Sequence, residues 1–420
     1  MLKLFYATLL VGSINLTGPS PERVDEVLSQ LNIVRKTNLD SAYLLTTIAY
    51  EIAEKCDYTL GKAKTRFLQG FILKKENEMS KAMIMYLKGI EIVRSESEDE
   101  FKDLHISMLA NAGTILEDHF HYDKALEFYL EAERLSYENQ INKYLTNIHY
   151  KKGKLYKNSG KLYEAYESAK EMLSLATRDE NETMIGRAYN LLGLTARNNA
   201  QYDLARQYFD SLIAYDFKKS KILWLGRANH NIGTVYLEQG NYDSAAMAYR
   251  TALQYKLEKN SPKDLYITYL DLTEVYLNKG ELDVARQMGQ AAEDLYVKVT
   301  LKEEHYRLFS LLKDVCFKSS EYELGIRYVE KFEEESHRFV TRQNEVLEQK
   351  EQFKMDLILA GFYQEIEIKN ERAALISNLW FAGIILVIFF FFLGDRFNFW
   401  RLRTTIQKDL EDNGLLEKLD

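Results

Sequence analysis

The sequence is poor in the residues that interrupt helices and in those that crosslink chains. It holds only three prolines and two cysteines among 420 residues. Proline breaks helices because it lacks a backbone N–H, so its scarcity suits a long helical array. Cys56 and Cys316 are far apart in the sequence. We interpret them as core thiols, because a disulfide or a shared metal would require distant parts of a stacked array to meet.

A basic surface and the usual catalytic motifs are also missing. The net charge is −8, whereas a nucleic-acid-binding domain should show a basic face, so we expect no nucleic-acid partner. No glycine-rich phosphate loop, CxxC, HExxH or GxSxG motif occurs. We therefore expect no catalytic residue and no cofactor, and predict that the protein is not an enzyme.

The two closely spaced histidines His119 and His121 are flanked by acidic residues at an expected helix–helix turn. Such a group could in principle hold zinc or copper. We favour an ordinary exposed polar turn, and predict no metal site.

The sequence does contain small residues that recur at a fixed interval within predicted helices. The period is 40 residues, and it is carried by Gly113, Gly153, Gly193 and Gly233 and continued by Thr273 and Lys313. Most of these anchors have a large apolar residue three positions later, all have a small one twelve later, and most have a large one sixteen later. A period of about 20–50 residues indicates a stack of similar supersecondary units.

Each unit is predicted to be a pair of antiparallel helices. The two small residues would let the helix backbones approach closely, and the large apolar groups would fill the groove between units. The segment Gly240-Asn241-Tyr242-Asp243 would end one helix with a left-handed glycine and start the next with an acidic cap. Apolar spacings are three to four throughout, and no stretch alternates. We therefore predict an all-α fold.

This pattern resembles the tetratricopeptide repeat (TPR). The likeness is strong at the four glycine anchors, weaker at Thr273 and Lys313, and extends upstream to Gly70 and to a divergent pair around Ala42; it covers residues 20–336. The terminal proline of the family is absent, and the period is longer than the usual value of about 34. Helices of this length also resemble those of the peptide-sensing Rap regulators. The resemblance implies a TPR-like α-solenoid of about seven helix pairs, followed by a long helix and one transmembrane helix.

Two apolar segments predict export and anchoring. Residues 1–19 resemble a short secretory signal peptide, with an apolar run from Leu4 to Val11; the alternative is an apolar segment packed on the first repeat. Residues 376–394 lie in an uncharged stretch long enough to span the hydrocarbon core of a bilayer, and the alternative there is a buried core helix.

Charges beside the second apolar segment predict its orientation. Residues 395–420 form a short tail that carries more Lys and Arg near the membrane than the opposite flank does, which indicates a cytoplasmic tail. We therefore expect a single-pass protein of the inner (cytoplasmic) membrane with periplasmic repeats and a cytoplasmic C terminus.

The segment 337–375, between the array and the membrane, is predicted to be one charged helix. Phe339, Val346 and Phe353 recur every seven residues. This stripe could be a coiled-coil seam that pairs two copies as a homodimer, or the last helix of the solenoid could simply continue.

The family resemblance also implies a binding groove on the first helix of each unit, at positions −6, −3, +1 and +4 from the anchor. In three consecutive units these positions hold Asn147, Tyr150, Lys154 and Lys157, then Arg187, Asn190 and Arg197, then Arg227 and His230. Amides can hydrogen-bond an extended peptide and cations can hold its carboxylates. We therefore predict a protein or peptide ligand; ordinary solvated helix faces are the alternative.

The whole arrangement resembles the membrane-anchored TPR sensor regulators of Bacteroidetes-type bacteria, but without their output domain. We expect a role in envelope sensing and signal transduction. The alternatives are a static scaffold or assembly factor for an envelope complex, and a truncated TPR-type transcriptional regulator.

Overall fold

The computed structural model describes residues 18–299 and 305–370, with side chains up to Asp356. These residues form sixteen α-helices, one short 3₁₀ helix and no strand, which confirms the predicted all-α fold. In chain order the α-helices are α1 Pro21–Val34, α2 Leu39–Lys55, α3 Thr59–Lys75, α4 Met79–Val93, α5 Asp99–Asp118, α6 Tyr122–Glu138, α7 Leu145–Asn158, α8 Leu162–Arg178, α9 Glu182–Asn198, α10 Tyr202–Ala214, α11 Lys221–Glu238, α12 Tyr242–Lys259, α13 Pro262–Lys279, α14 Leu282–Tyr296, α15 His305–Lys318 and α16 Tyr322–Asn370.

The helices pack as consecutive antiparallel pairs, from α1 with α2 to α15 with α16. The described residues therefore hold eight pairs, one more than the seven predicted. Each pair also packs on the next one, and first helices of neighbouring pairs, such as α7 and α9, touch directly. Contacts between successive units build the stack, as in other solenoids.

Three of the four anchor glycines face the second helix of their own pair, as predicted, whereas Gly153 lies closest to Leu191 of the next pair. A Cβ atom on Gly233 would lie 2.7 Å from the ring of Tyr249, and one on Gly113 would lie 2.8 Å from the ring of Tyr129. Both rings are almost fully buried. Glycine is needed at these positions because the aromatic ring occupies the space of a side chain.

Each 40-residue unit consists of two helices, and each helix together with its following turn takes up about 20 residues. Left-handed residues recur about every 20 positions in the turns, at Phe120, Gln140, Gly160, Glu180, Ala200, Ser220, Gly240, Asn260, Gly280 and Ser320. Ser220 stands directly before α11, and the others come just after a helix. At one such turn the N–H of Lys161 donates to the carbonyl of Tyr156 at 2.9 Å and that of Gly160 donates to Lys157 at 3.3 Å. These bonds satisfy carbonyls that the helix end would leave free.

The turn chemistry differs from the prediction in two respects. Glycine takes the left-handed position at Gly240, but Ala200 has the same conformation without it. The predicted acidic cap is wrong: Asn241 caps α12 by accepting from the N–H of Ser244 at 3.1 Å, and Asp243 lies inside the first turn. There its charge is still stabilised by the positive end of the helix dipole.

The long helix α16 has 49 residues and passes residue 337 without a break. The other second helices of the pairs have 13–18 residues, as in α10 and α12. Its heptad stripe faces the array of the same chain: Phe339 packs on Tyr306 with ring centroids 5.1 Å apart, and Phe353 joins the core of earlier repeats.

The predicted transmembrane segment 376–394 and nearly all of the predicted signal peptide 1–19 lie outside the described residues. Both remain predictions. Among the helices that are described, none is long and apolar enough to cross a membrane. Cys316 is a buried free thiol, and Cys56 is a half-buried one at the end of α2.

Candidate functional site

All nine residues of the predicted groove lie on α7, α9 and α11, the first helices of three consecutive pairs. Because α7 touches α9 and α9 touches α11, positions separated by one period are neighbours in space. Asn147 and Arg227 are exposed, and the other seven are half-buried. We call this surface of α7, α9 and α11 the inner face.

Tyr150 brings two predicted cations together across a repeat boundary. The guanidinium of Arg187 lies 5.1 Å from the centre of the Tyr150 ring, and the ammonium of Lys154 lies 5.8 Å from it. Both distances are within the range of cation–π attraction. The ring therefore positions one cation from each of two neighbouring helices.

Lys154 also forms an ion pair that the sequence analysis did not predict. Its ammonium is 3.1 Å from Glu117 of α5, which also pairs with Lys151 at 3.0 Å. Burial alone would raise the pKa of Glu117, but the two lysines outweigh it and hold that pKa below its usual value. The sequence contained a sign of this pairing, because Glu117 stands at position +4 of the Gly113 unit, which is one of the predicted groove positions.

Lys157 differs from Lys154 because it has no acidic partner among the described side chains. Burial lowers its pKa, and the neighbouring positive charges of Arg197 and Lys154 lower it further. Arg197 itself pairs with Glu238 of the next repeat at 3.6 Å. A half-buried ammonium among other cations is a position where an added negative charge would be stabilised.

The amide groups form a contact between repeats. The side-chain amide of Asn231 donates to Asn190 at 2.7 Å. Asn231 stands two positions before its anchor, at a position that the predicted groove omitted. Asn147, by contrast, is exposed and makes no side-chain hydrogen bond in the described structure.

His230 is not one of the cations of the inner face. Its ring packs edge-on against Tyr249 at 5.2 Å and lies 3.4 Å from a carboxylate oxygen of Asp271. Burial is the largest effect on its pKa, which lies well below the usual value. It is therefore neutral near pH 7. Arg227 remains exposed, with its guanidinium 5.2 Å from the Trp224 ring.

Beyond α11, one cation of a first helix is paired within the protein. Arg307 of α15 is 2.7 Å from Asp271 and 2.5 Å from Glu274, both on α13. Arg307 therefore differs from Arg187 and Arg227, which have no acidic partner among the described side chains. Sequence reasoning did not identify this network, which joins position −6 of one unit to positions −2 and +1 of the unit before it.

The histidines of the turn after α5 pack against the long helix α16. The ring of His119 stacks on Phe353, with centroids 3.8 Å apart. In the part of the chain that the structure describes, no group of three His, Cys, Asp or Glu side chains could hold a metal ion.

Comparisons with known proteins agree with this architecture. Residues 186–219 and 226–258 match the sequence profile described as Tetratricopeptide repeat. The apo form of the quorum sensor NprR from B. thuringiensis is similar in structure, with a TM-score of 0.52 and 16% identity over 78% of this chain and 98% of that one. No curated protein matches this sequence significantly.

Two further solved structures are similar to this chain with lower TM-scores. A tetratricopeptide repeat protein from Parabacteroides merdae has a TM-score of 0.48 and 18% identity over 70% of this chain and 99% of that one. NprR in complex with its cognate peptide NprX has a TM-score of 0.46 and 19% identity over 87% of this chain and 98% of that one. Residues 186–219 and 226–258 therefore carry tetratricopeptide repeats, within an α-solenoid whose fold is similar to that of apo NprR.

Proposed function

We propose that the inner face binds a protein or peptide partner through an acidic segment or a C-terminal carboxylate. The observation that carries this proposal is a row of cations without acidic partners in the described structure: Lys157, Arg187 and Arg227, one from each of three consecutive repeats. The chain as a whole has a net charge of −8. A positive surface on an acidic protein steers negatively charged partners to one place.

The arrangement of the polar groups suits an extended chain. Asn147 and Asn190 lie on neighbouring helices of the same face, and an amide offers both a donor and an acceptor to a peptide backbone. Arg187 is held over Tyr150, which reduces the side-chain freedom it would lose on binding. The guanidinium can then form two hydrogen bonds to one carboxylate.

We further propose that the array works outside the cytoplasm as a membrane-anchored sensor. This rests on the predicted segments 1–19 and 376–394 and on the long helix α16, which leads from the array toward the second of them. A static scaffold for an envelope complex is the alternative. The two differ in whether binding at the inner face changes the position of α16.

The binding proposal can be tested with an array of synthetic peptides of varied charge and free C termini. The protein should bind acidic peptides selectively, and the affinity should fall as salt is added. Replacing Arg187 and Arg227 together with glutamate should weaken binding at least about tenfold, equivalent to about 1.4 kcal/mol, without changing the thermal melt of the helices.

A matched control places the same charge change on a second helix. Lys170 and Arg178 are exposed residues of α8, so their double replacement by glutamate should leave peptide binding unchanged. Equal binding of neutral and acidic peptides, or full binding by the Arg187/Arg227 variant, would contradict the proposal.

A further inference from the structure

The long helix α16 returns to the beginning of the array. It starts in the last pair, and Phe353 lies about 46 Å along it, at about 1.5 Å per residue. At that point α16 contacts α4 of the second pair and the turn that follows α5. Two parts of the solenoid that are distant along the stack are thus joined by one helix.

The contact includes three aromatic rings and a side-chain hydrogen bond. Phe353 is 3% exposed, with its ring stacked on His119 at 3.8 Å and tilted against His121 at 5.9 Å. The hydroxyl of Ser80 donates to Asp356 at 3.4 Å. We call the contact between Phe353 and the two histidines the latch.

The stretch of α16 before the latch is largely exposed to solvent. Val340 is 57% exposed and Leu347 is 58% exposed. Between residues 337 and 356, Phe353 is the one buried side chain of α16, so this part can detach without disrupting the packing within the second and third pairs. Local opening of this kind is typical of segments with few buried apolar contacts.

The latch contains a titratable group in a site that disfavours positive charge. Nε2 of His121 is buried without a hydrogen-bond partner in the described structure. The charges that act on it most strongly are Lys350 from α16, Lys124 from α6 and the adjacent His119, and all are positive when ionised. From α4 the contact residue is Ser80, and it bonds Asp356.

These surroundings determine the direction of the pH dependence. Burial is the largest effect and lowers the pKa of His121 from its usual 6.5, and the charge of Lys350 lowers it further; the backbone of Lys350 acts in the opposite direction, but more weakly. Release of α16 would remove Lys350 and restore solvent. The docked state therefore binds fewer protons than the released state, so docking is favoured above about pH 6.5 and weakens as the pH falls below it.

We propose that the latch is a proton-sensitive switch: it holds α16 on the array at neutral pH and opens when His121 takes up a proton. Opening frees the part of α16 around Phe353 from the second and third pairs. This inference does not depend on the partner of the inner face, because its ligand is the proton.

The test is a distance measurement between spin labels on the full-length chain in mild detergent. One label replaces Lys81 beside the latch, and the other replaces Leu347 on α16, with Cys56 changed to serine. At about pH 7.5 a single short distance is expected, and at about pH 5.5 a second, longer distance should grow. Phe353→Ala should show the longer distance at both pH values.

Two controls separate the latch from general acid effects. His121→Gln should remove the pH response, whereas His337→Gln, a change at an exposed histidine of α16, should preserve it. A label pair at positions 81 and 163, both within the array, should not move. An unchanged distance in the parent protein, a response that persists in His121→Gln, or an equal movement of the pair within the array would overturn the proposal.

Discussion

At the scale of single residues, the contact between an anchor glycine and an aromatic ring decides how closely two helices approach. A side chain on Gly193 would overlap the buried ring of Phe209. Gly226 is also helical, but the nearest atoms to its added Cβ are 3.4 Å away, on Lys256 and Tyr255. The two glycines look alike in the sequence and differ in what surrounds them.

Gly193→Leu should therefore destabilise the protein, whereas Gly226→Ala should not. The first change overpacks the interface and should cost about 1–3 kcal/mol or more. The second removes a flexible residue from a helix interior and should stabilise by about 0.5–1 kcal/mol. Urea unfolding followed by circular dichroism measures both, and equal midpoints for Gly193→Leu and the parent would show that the anchor assignment is wrong.

At the scale of elements, the interface between α12 and α13 contains a buried lysine. The ammonium of Lys256 donates to the hydroxyl of Thr268 at 2.7 Å. Burial is the main cause that lowers its pKa to about 8, while Asp264 and Asp271 act in the opposite direction. A lysine with a lowered pKa is one whose charged form is destabilised by folding.

Lys256→Met should stabilise the protein at neutral pH. The folded state binds this proton less tightly than the unfolded state, so the parent's stability should rise as the pH increases from about 8 to about 10.5. The variant should lack that rise and gain on the order of 1–3 kcal/mol at pH 7. Denaturant unfolding across this pH range is the measurement. Lower stability of the variant at pH 7 would mean that the bond to Thr268 outweighs the cost of burial.

At the scale of the whole molecule, we expect the array to fold without the predicted membrane segment. Each repeat is stabilised by its neighbours, and the described helices lie between residues 21 and 370, before the segment 376–394.

Deleting residues 373–394 should therefore release a folded, helical array into the soluble fraction, while the full-length protein should require detergent. The physical reason is that the uncharged stretch is the part long enough to fill the hydrocarbon core. Membrane fractionation and circular dichroism of the released protein test this. Recovery of the full-length protein without detergent would refute the predicted anchor.

Much of the fold could be predicted from the sequence because it depends on interactions that repeat over short distances. Helical periodicity, the close approach at Gly233 and the glycine turn at Gly240 each involve residues within one unit. The same holds for the positions of Arg187 and Asn190 on a single helix face. A pattern that recurs every 40 residues identifies such contacts without knowledge of the path of the chain.

Tertiary structure alone decided the features that depend on the path of the stack. The left-handed conformation of Ala200 follows from its neighbours' geometry and not from its own preference, which disfavours it. The pairing of Glu117 with Lys151 and Lys154 depends on how one first helix lies against the next. The return of Phe353 to His119 depends on small rotations summed over many repeats, because a solenoid's curvature accumulates from unit to unit. No local pattern encodes that sum, so the contact of Phe353 with the array of its own chain could not be predicted. The pairing of two copies along the heptad stripe stays a prediction.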